Sequence, residues 1–107
     1  MKALTFLFAL LLPSAVNAQV PADAIWIDVR TPQEFEADHL EGAEHIPWDG
    51  IEKGVTELGL SKEQPIYLYC GSGGRAGRAK ESLEAAGYTA VVNAGGLSDA
   101  RELSGAR

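Results

Sequence analysis

The chain has 107 residues, with fifteen Asp and Glu residues against nine Lys and Arg residues and a formal net charge of −6. This length allows one small domain, and the acidic balance argues against nucleic acid and anionic lipid as partners. An anionic ligand would need a local positive site, because the overall field of the protein repels it.

The first eighteen residues have the three regions of a secretory signal peptide. Lys2 supplies positive charge, residues 3–12 form an apolar run, and residues 16–18 provide the small side chains that a signal peptidase reads. The run is shorter than the about 20 apolar residues of a membrane span. We therefore predict that residues 1–18 are cleaved and that residues 19–107 form one periplasmic domain with no membrane anchor.

The first half of this domain alternates predicted strands and helices. Residues 25–29, rich in β-branched and aromatic side chains, predict a buried strand. Thr31, followed by a proline, predicts the N-cap of a short helix. Residues 43–46 predict a short strand, and Asp49 is placed to cap a helix over residues 50–58.

The second half continues the alternation. Residues 66–70 are apolar throughout and predict a central strand of a parallel sheet, and residues 75–86 predict a helix with Gly87 as its left-handed C-cap. A strand, a glycine turn and a short helix are predicted after it, over residues 89–92, 95–96 and 97–103. The alternation predicts a small single α/β domain with a mostly parallel β-sheet flanked by helices.

The single cysteine, Cys70, ends the predicted central strand and is followed by four small residues, Arg75 and a predicted helix. Ligands of parallel sheets bind beyond the carboxyl ends of the strands. The small residues can present consecutive backbone N–H groups as an anion-binding nest, and the helix N-terminus adds partial positive charge. These features favour a nucleophilic thiolate. The alternative is a buried cysteine that serves only as a small apolar side chain.

Other polar residues carry weaker signals. His39 and His45 lack the ligand spacing of a metal site, so no metal is predicted. Asp28 and Arg30 are expected to orient loops, with an ion pair between Arg30 and Glu34. A solvated face, rather than a pair of catalytic carboxylates, is predicted for the acidic residues of this region: Glu34, Glu36, Asp38, Glu41 and Glu44.

The residues around Cys70 resemble the active-site loop of the rhodanese-type sulfurtransferases, commonly Cys-x-Ser-Gly-x-Arg followed by Ser or Ala. Other segments also resemble this family: residues 27–30, 34–35, 39–43, 46–47 and 93–97. The signal peptide and the Asn-Ala-Gly-Gly-Leu segment are most similar to the exported single-domain rhodaneses of the phage-shock-protein-E type. Four residues separate Cys70 from Arg75, as in the sulfurtransferases. The related dual-specificity phosphatases have five, which argues against phosphate or arsenate as the reacting group.

The resemblance implies a thiosulfate sulfurtransferase with no metal or organic cofactor. The Cys70 thiolate would take the outer sulfur of thiosulfate as a persulfide, release sulfite, and pass the sulfur to cyanide or a thiol acceptor. The residues implied to hold the substrate oxygens and the persulfide are Gly71, Ser72, Gly73, Gly74 and Arg75. Position 71, often arginine or another polar residue in the family, is glycine here. A monomer is expected.

A second hypothesis is open for the same cysteine. Cys70 could belong to a non-catalytic periplasmic sulfur carrier or thiol sensor, in which a partner protein reads the modified sulfur. Such a sensor needs only an exposed thiol of low pKa, so the small-residue loop with Arg75 favours the enzyme. Multiple turnover on thiosulfate would distinguish the two.

Overall fold

The computed structural model describes residues 20–107, and the predicted signal peptide lies outside these described residues. The strands are β1 (Ile25–Asp28), β2 (Glu44–His45), β3 (Ile66–Cys70) and β4 (Val91–Gly96). The helices are α1 (Pro32–Ala37), α2 (Ile51–Leu58), α3 (Gly74–Ala85) and α4 (Leu97–Ser104). None of the helices in residues 20–107 has both the length and the apolar character needed to cross a membrane.

The four strands form one sheet in the order β2-β1-β3-β4, and every neighbouring pair is parallel. Each parallel connection carries helical structure, as the crossover between parallel strands requires. The predicted α/β domain with a parallel sheet flanked by helices is therefore confirmed.

Strand β3 divides its side chains between two hydrophobic clusters. Ile66, Leu68 and Cys70 enter the larger cluster, to which α2 and α3 contribute, whereas Tyr69 packs with Leu40 in the smaller one. Successive side chains of a strand point to opposite faces of the sheet. All five side chains of β3 are buried because both faces are covered, which explains why the strand has no polar alternation.

The N-terminus of α1 and the C-terminus of α3 have the capping residues that the sequence predicts. The Thr31 hydroxyl accepts a hydrogen bond from the backbone N–H of Glu34 at 3.2 Å, and the Glu34 carboxylate accepts one from the N–H of Thr31 at 3.0 Å. This reciprocal pair is a capping box. Gly87 follows α3 with φ of +101°, the left-handed conformation predicted for it.

The predicted cap at Asp49 is wrong. Asp49 lies inside a 3₁₀ turn, Trp48–Gly50, and α2 begins after Gly50, which makes no side-chain capping bond. At the start of this turn, the Trp48 N–H donates to the carbonyl oxygen of Val29 at 3.0 Å. That bond ties the segment to the end of β1, a contact that the local sequence does not show.

The predicted glycine turn after β4 is also wrong. Gly95 and Gly96 are the last residues of β4, and α4 begins directly after them. Gly96 pairs with Cys70 of β3 across a register irregularity. The strand is therefore extended by its neighbour rather than by its own β propensity.

Helix α3 is held to the sheet by small side chains and Leu83, which is fully buried. We predict that Leu83→Ala lowers the free energy of unfolding by about 2–5 kcal/mol, because it removes buried methyl groups and leaves a cavity. Urea-induced unfolding would measure the change. Leu58→Ala is the matched control, since Leu58 is 42% exposed, and equal losses in the two variants would contradict the prediction.

Candidate active site

Cys70 is the last residue of β3, at the carboxyl edge of the sheet, and a short loop joins it to the first turn of α3. Its side chain is buried, with 1% exposure, as the apolar alternative would require. Its sulfur, however, accepts hydrogen bonds from the N–H of Gly73 at 3.0 Å and the N–H of Ala76 at 3.4 Å. A purely apolar cysteine has no need of such donors, so this geometry favours a thiolate.

Two features of the sulfur's environment shift the pKa of the Cys70 thiol in opposite directions. Burial raises the pKa of the Cys70 thiol, because it removes water from the charged form. Hydrogen bonds from backbone N–H groups lower the pKa by more, and the net shift is downward. These donors belong to Ala76, Ser72, Gly73 and Arg75.

The loop after Cys70 turns back over the sulfur at a single residue. Of its glycines, only Gly73 has a positive φ, at +102°, in the region that other residues rarely adopt. This conformation directs the Gly73 N–H at the sulfur. Gly71, Ser72 and Gly74 are exposed at the surface of the loop.

Arg75 is bound by a residue from another helix. Its Nη1 and Nη2 atoms donate to Oε1 and Oε2 of Glu34 in α1 at 2.8 and 3.1 Å. The hydrogen bonds from Arg75 and from Thr31 lower the pKa of Glu34 to about 2. Glu34 stays 39% exposed, but it is paired with Arg75, a contact that the sequence-based prediction of a solvated face did not include.

The predicted ion pair between Arg30 and Glu34 is wrong, because Arg30 binds Asp28. The Arg30 Nη2 atom lies 2.7 Å from Asp28 Oδ2, and the same atom donates to the carbonyl oxygen of Asp38 at 2.6 Å. Asp28 is fully buried and Arg30 is nearly so. The pair thus fixes the chain between β1 and the end of α1.

Tyr69 lies against this buried pair on the face of β3 opposite Cys70. The Arg30 guanidinium carbon is 5.6 Å from the centre of its ring, and its hydroxyl accepts a hydrogen bond from the N–H of Leu40 at 2.9 Å. Burial, with the nearby Asp28, raises the pKa of Tyr69 to about 12. Tyr69 is thus a neutral link between β3 and the segment after α1.

The two histidines pack on either side of one aromatic ring. His39 and His45 stack on Phe35 with ring centres 3.7 and 4.7 Å away. His39 Nδ1 lies 2.7 Å from the carbonyl oxygen of Phe35, and His45 Nε2 lies 2.8 Å from that of Arg30. Between residues 20 and 107, the His, Cys, Asp and Glu side chains form no group of three or more that could hold a metal ion.

The protein-family model of the rhodanese-like domain matches residues 12–102 of the chain. The chain belongs to this family. It is 40% identical over 74 residues to the thiosulfate sulfurtransferase PspE of Escherichia coli K12, a match that covers 69% of this chain and 71% of that protein. It is 37% identical over 67 residues to the putative sulfur carrier protein YrkF of Bacillus subtilis, covering 63% of this chain and 35% of that relative.

Solved structures agree with this membership. A rhodanese with anions from E. coli superposes with a TM-score of 0.68 at 39% identity, covering 71% of this chain and 89% of that chain. A rhodanese-like domain protein from Staphylococcus aureus gives a TM-score of 0.64 at 30% identity, covering 78% and 79% of the two chains. The parallel sheet described above is thus the rhodanese fold, and the chain is a member of a sulfurtransferase family.

In this rhodanese-like domain, β4 also contacts the cysteine loop. The sequence-based prediction of the site included no residue of β4. A Cβ atom at Gly96 would overlap the carbonyl oxygen of Gly71, so only glycine fits there without movement of the loop. Asn93 donates a hydrogen bond to the carbonyl oxygen of Gly73 at 2.9 Å. The resemblance of the Asn-Ala-Gly-Gly-Leu segment to the family was the one signal in the sequence for this contact. It does not indicate which loop the segment contacts.

The ion pair between Glu34 and Arg75 predicts a pH-dependent contribution to stability. The pKa of Glu34 is about 2 in the folded state against an ordinary value of 4.5. The stabilisation is therefore present above pH 4.5 and is lost as the pH falls towards 2. We expect Glu34→Gln to lower the free energy of unfolding near neutral pH by no more than about 1 kcal/mol, since both side chains are partly exposed.

Denaturant unfolding of Glu34→Gln and the unsubstituted chain across this pH range would measure the difference. The two should converge as the pH decreases. Glu36→Gln, an exposed position in the same helix, is the control, because it removes the same charge and leaves the ion pair between Glu34 and Arg75 in place. A Glu34→Gln deficit that stays constant down to acidic pH would contradict the assignment.

The close approach at Gly96 predicts a strong effect of one methyl group. Gly96→Ala should lower the free energy of unfolding by about 1–3 kcal/mol, because backbone atoms of the loop must move to accept it. Thermal or urea unfolding would measure this. Gly74→Ala is the matched control, since a Cβ there meets no atom within 4 Å; equal stability of the two variants would refute the prediction.

Proposed function

We propose that this domain is a thiosulfate sulfurtransferase that carries sulfane sulfur as a persulfide on Cys70. The observation that carries the proposal is the pair of N–H groups, from Gly73 and Ala76, that donate to Cys70 Sγ at the carboxyl edge of the sheet. The similarity to a thiosulfate sulfurtransferase at 40% identity supports the choice of donor.

In the first proposed step, the Cys70 thiolate attacks the outer sulfur of thiosulfate. A sulfur–sulfur bond forms on Cys70, the bond between the two sulfurs of thiosulfate breaks, and sulfite leaves with the bonding electron pair. The product is a Cys70 persulfide anion. No proton or external oxidant is required, because the outer sulfur keeps the negative charge that it carries in thiosulfate and sulfite takes away the electron pair of the broken bond.

In the second proposed step, cyanide or a thiolate attacks the outer sulfur of the persulfide. The sulfur–sulfur bond breaks, its electrons return to Cys70, and thiocyanate or a new persulfide leaves. The backbone N–H groups that lower the pKa of the thiol would stabilise the negative sulfur at the start and end of the cycle.

The remaining predicted site residues would act around this sulfur. Gly71, Ser72 and Gly74 are exposed at the loop surface, where we propose that they contact the sulfite oxygens of the donor. The guanidinium of Arg75 is bound to Glu34, so its proposed role is to hold the loop rather than to offer an unpaired charge. No metal or organic cofactor enters either step.

A sulfur carrier is the second candidate function. It is supported by the 37% identity to the putative sulfur carrier protein YrkF. In this case, Cys70 would hold the sulfur for a partner protein and would not turn over with a small acceptor. We also propose that the mature domain is periplasmic, on the basis of residues 1–18. Its acidic charge balance supports the proposal that it has no nucleic acid or membrane partner, and we propose that it is a monomer.

The intact mass of the purified chain before and after thiosulfate tests the function. We expect the gain of one sulfur atom with release of sulfite, and loss of that sulfur on addition of cyanide. Cys70→Ser should abolish all three changes because it removes the nucleophile. No mass gain in the folded protein would contradict the proposed donor. A persulfide that forms once but does not turn over with cyanide would instead support the carrier.

A further inference from the structure

The side chain of Asn93 joins β4 to the cysteine loop through both ends of its amide. The Nδ2 atom donates to the carbonyl oxygen of Gly73 at 2.9 Å, and the Oδ1 atom accepts from the N–H of Gly95 at 2.9 Å. The amide is planar, so the two bonds hold the loop at a fixed distance from β4.

The backbones that this amide connects lie close together, so that a Cβ atom added to either neighbouring glycine would be in van der Waals contact across the gap. A Cβ atom at Gly73 would lie 3.5 Å from the Cα of Gly95, and one at Gly77 would lie 3.5 Å from Asn93 Nδ2. Asn93 thus occupies a notch between three glycines, one each in the loop, in α3 and in β4. The side chain is nevertheless exposed on its outer side and belongs to neither hydrophobic cluster.

The backbone conformation of Gly73 determines whether its N–H points at the Cys70 sulfur. Its N–H donates to Cys70 Sγ at 3.0 Å, while its carbonyl oxygen accepts from Asn93 and from the N–H of Gly77 at 2.9 Å. The directions of its N–H and its carbonyl group are linked through its own torsion angles, a φ of +102° and a ψ of −12°. Because glycine has the softest torsions of any residue, an anchored carbonyl is what keeps the N–H in line with the sulfur.

We propose that Asn93 is a positioning residue of the reactive site, whose amide anchors the Gly73 carbonyl so that the Gly73 N–H stays aimed at Cys70 Sγ. The inference rests on Cys70 reacting as a thiolate, which the proposed function requires. Asn93 does not contact the reacting atoms. Its effect is on the ionisation of the thiol, since a misaligned N–H no longer favours the charged form.

The test is the pH dependence of Cys70 alkylation by iodoacetamide, followed by intact mass on the full mature chain. In Asn93→Ala, we expect the midpoint of the rate profile to rise by about one pH unit, which means about tenfold less thiolate at a pH below the midpoint. Asn93→Leu has nearly the same shape but cannot form hydrogen bonds, and the same rise is expected in it. Val92→Ala, the adjacent position in β4, is the control and should leave the midpoint unchanged.

Two results would overturn the inference. One is an unchanged midpoint in both Asn93 variants, with cooperative unfolding showing that they are folded. The other is a midpoint that rises in Asn93→Ala but stays unchanged in Asn93→Leu, because the effect would then come from packing rather than from the hydrogen bonds. Alkylation uses no thiosulfate, so a raised midpoint in a protein that forms no persulfide would leave this inference standing and reject only the proposed function.

Discussion

The hydrogen bonds from backbone N–H groups to the Cys70 sulfur are the interaction on which the rest of the site depends. At 1% exposure, the sulfur has little contact with water, and a buried anion without compensating donors is costly. Only protein dipoles can replace the missing water. The end of β3, the left-handed Gly73 and the start of α3 bring those dipoles to one point.

Two further elements hold this loop from outside. On one side, Glu34 of α1 binds Arg75 through both carboxylate oxygens. On the other, β4 approaches so closely that Gly96 has no room for a side chain and Asn93 bonds to Gly73. Because Glu34 neutralises Arg75, the partial positive charge nearest the sulfur comes from the backbone, in a chain whose net charge is −6.

A buried polar network supports α1 on the opposite face of the sheet. Asp28 and Arg30 form an ion pair next to Tyr69, and Arg30 also binds the backbone at the end of α1. A buried ion pair contributes little net stability once desolvation is counted. Its effect here is geometric, because it fixes the helix that carries Glu34 and thereby the partner of Arg75.

The sequence by itself determined the features that arise from neighbouring residues. The order of strands and helices, the capping of α1 at Thr31, the left-handed Gly87 and the position of Cys70 at a strand end all follow from local pattern and backbone preference. Only the tertiary structure decided which distant residues meet the loop: Glu34 and Arg75 are 41 positions apart and Asn93 and Gly73 are 20 apart. Such contacts depend on the strand order, which places β4 beside β3, and a local pattern carries no information about which strands become neighbours.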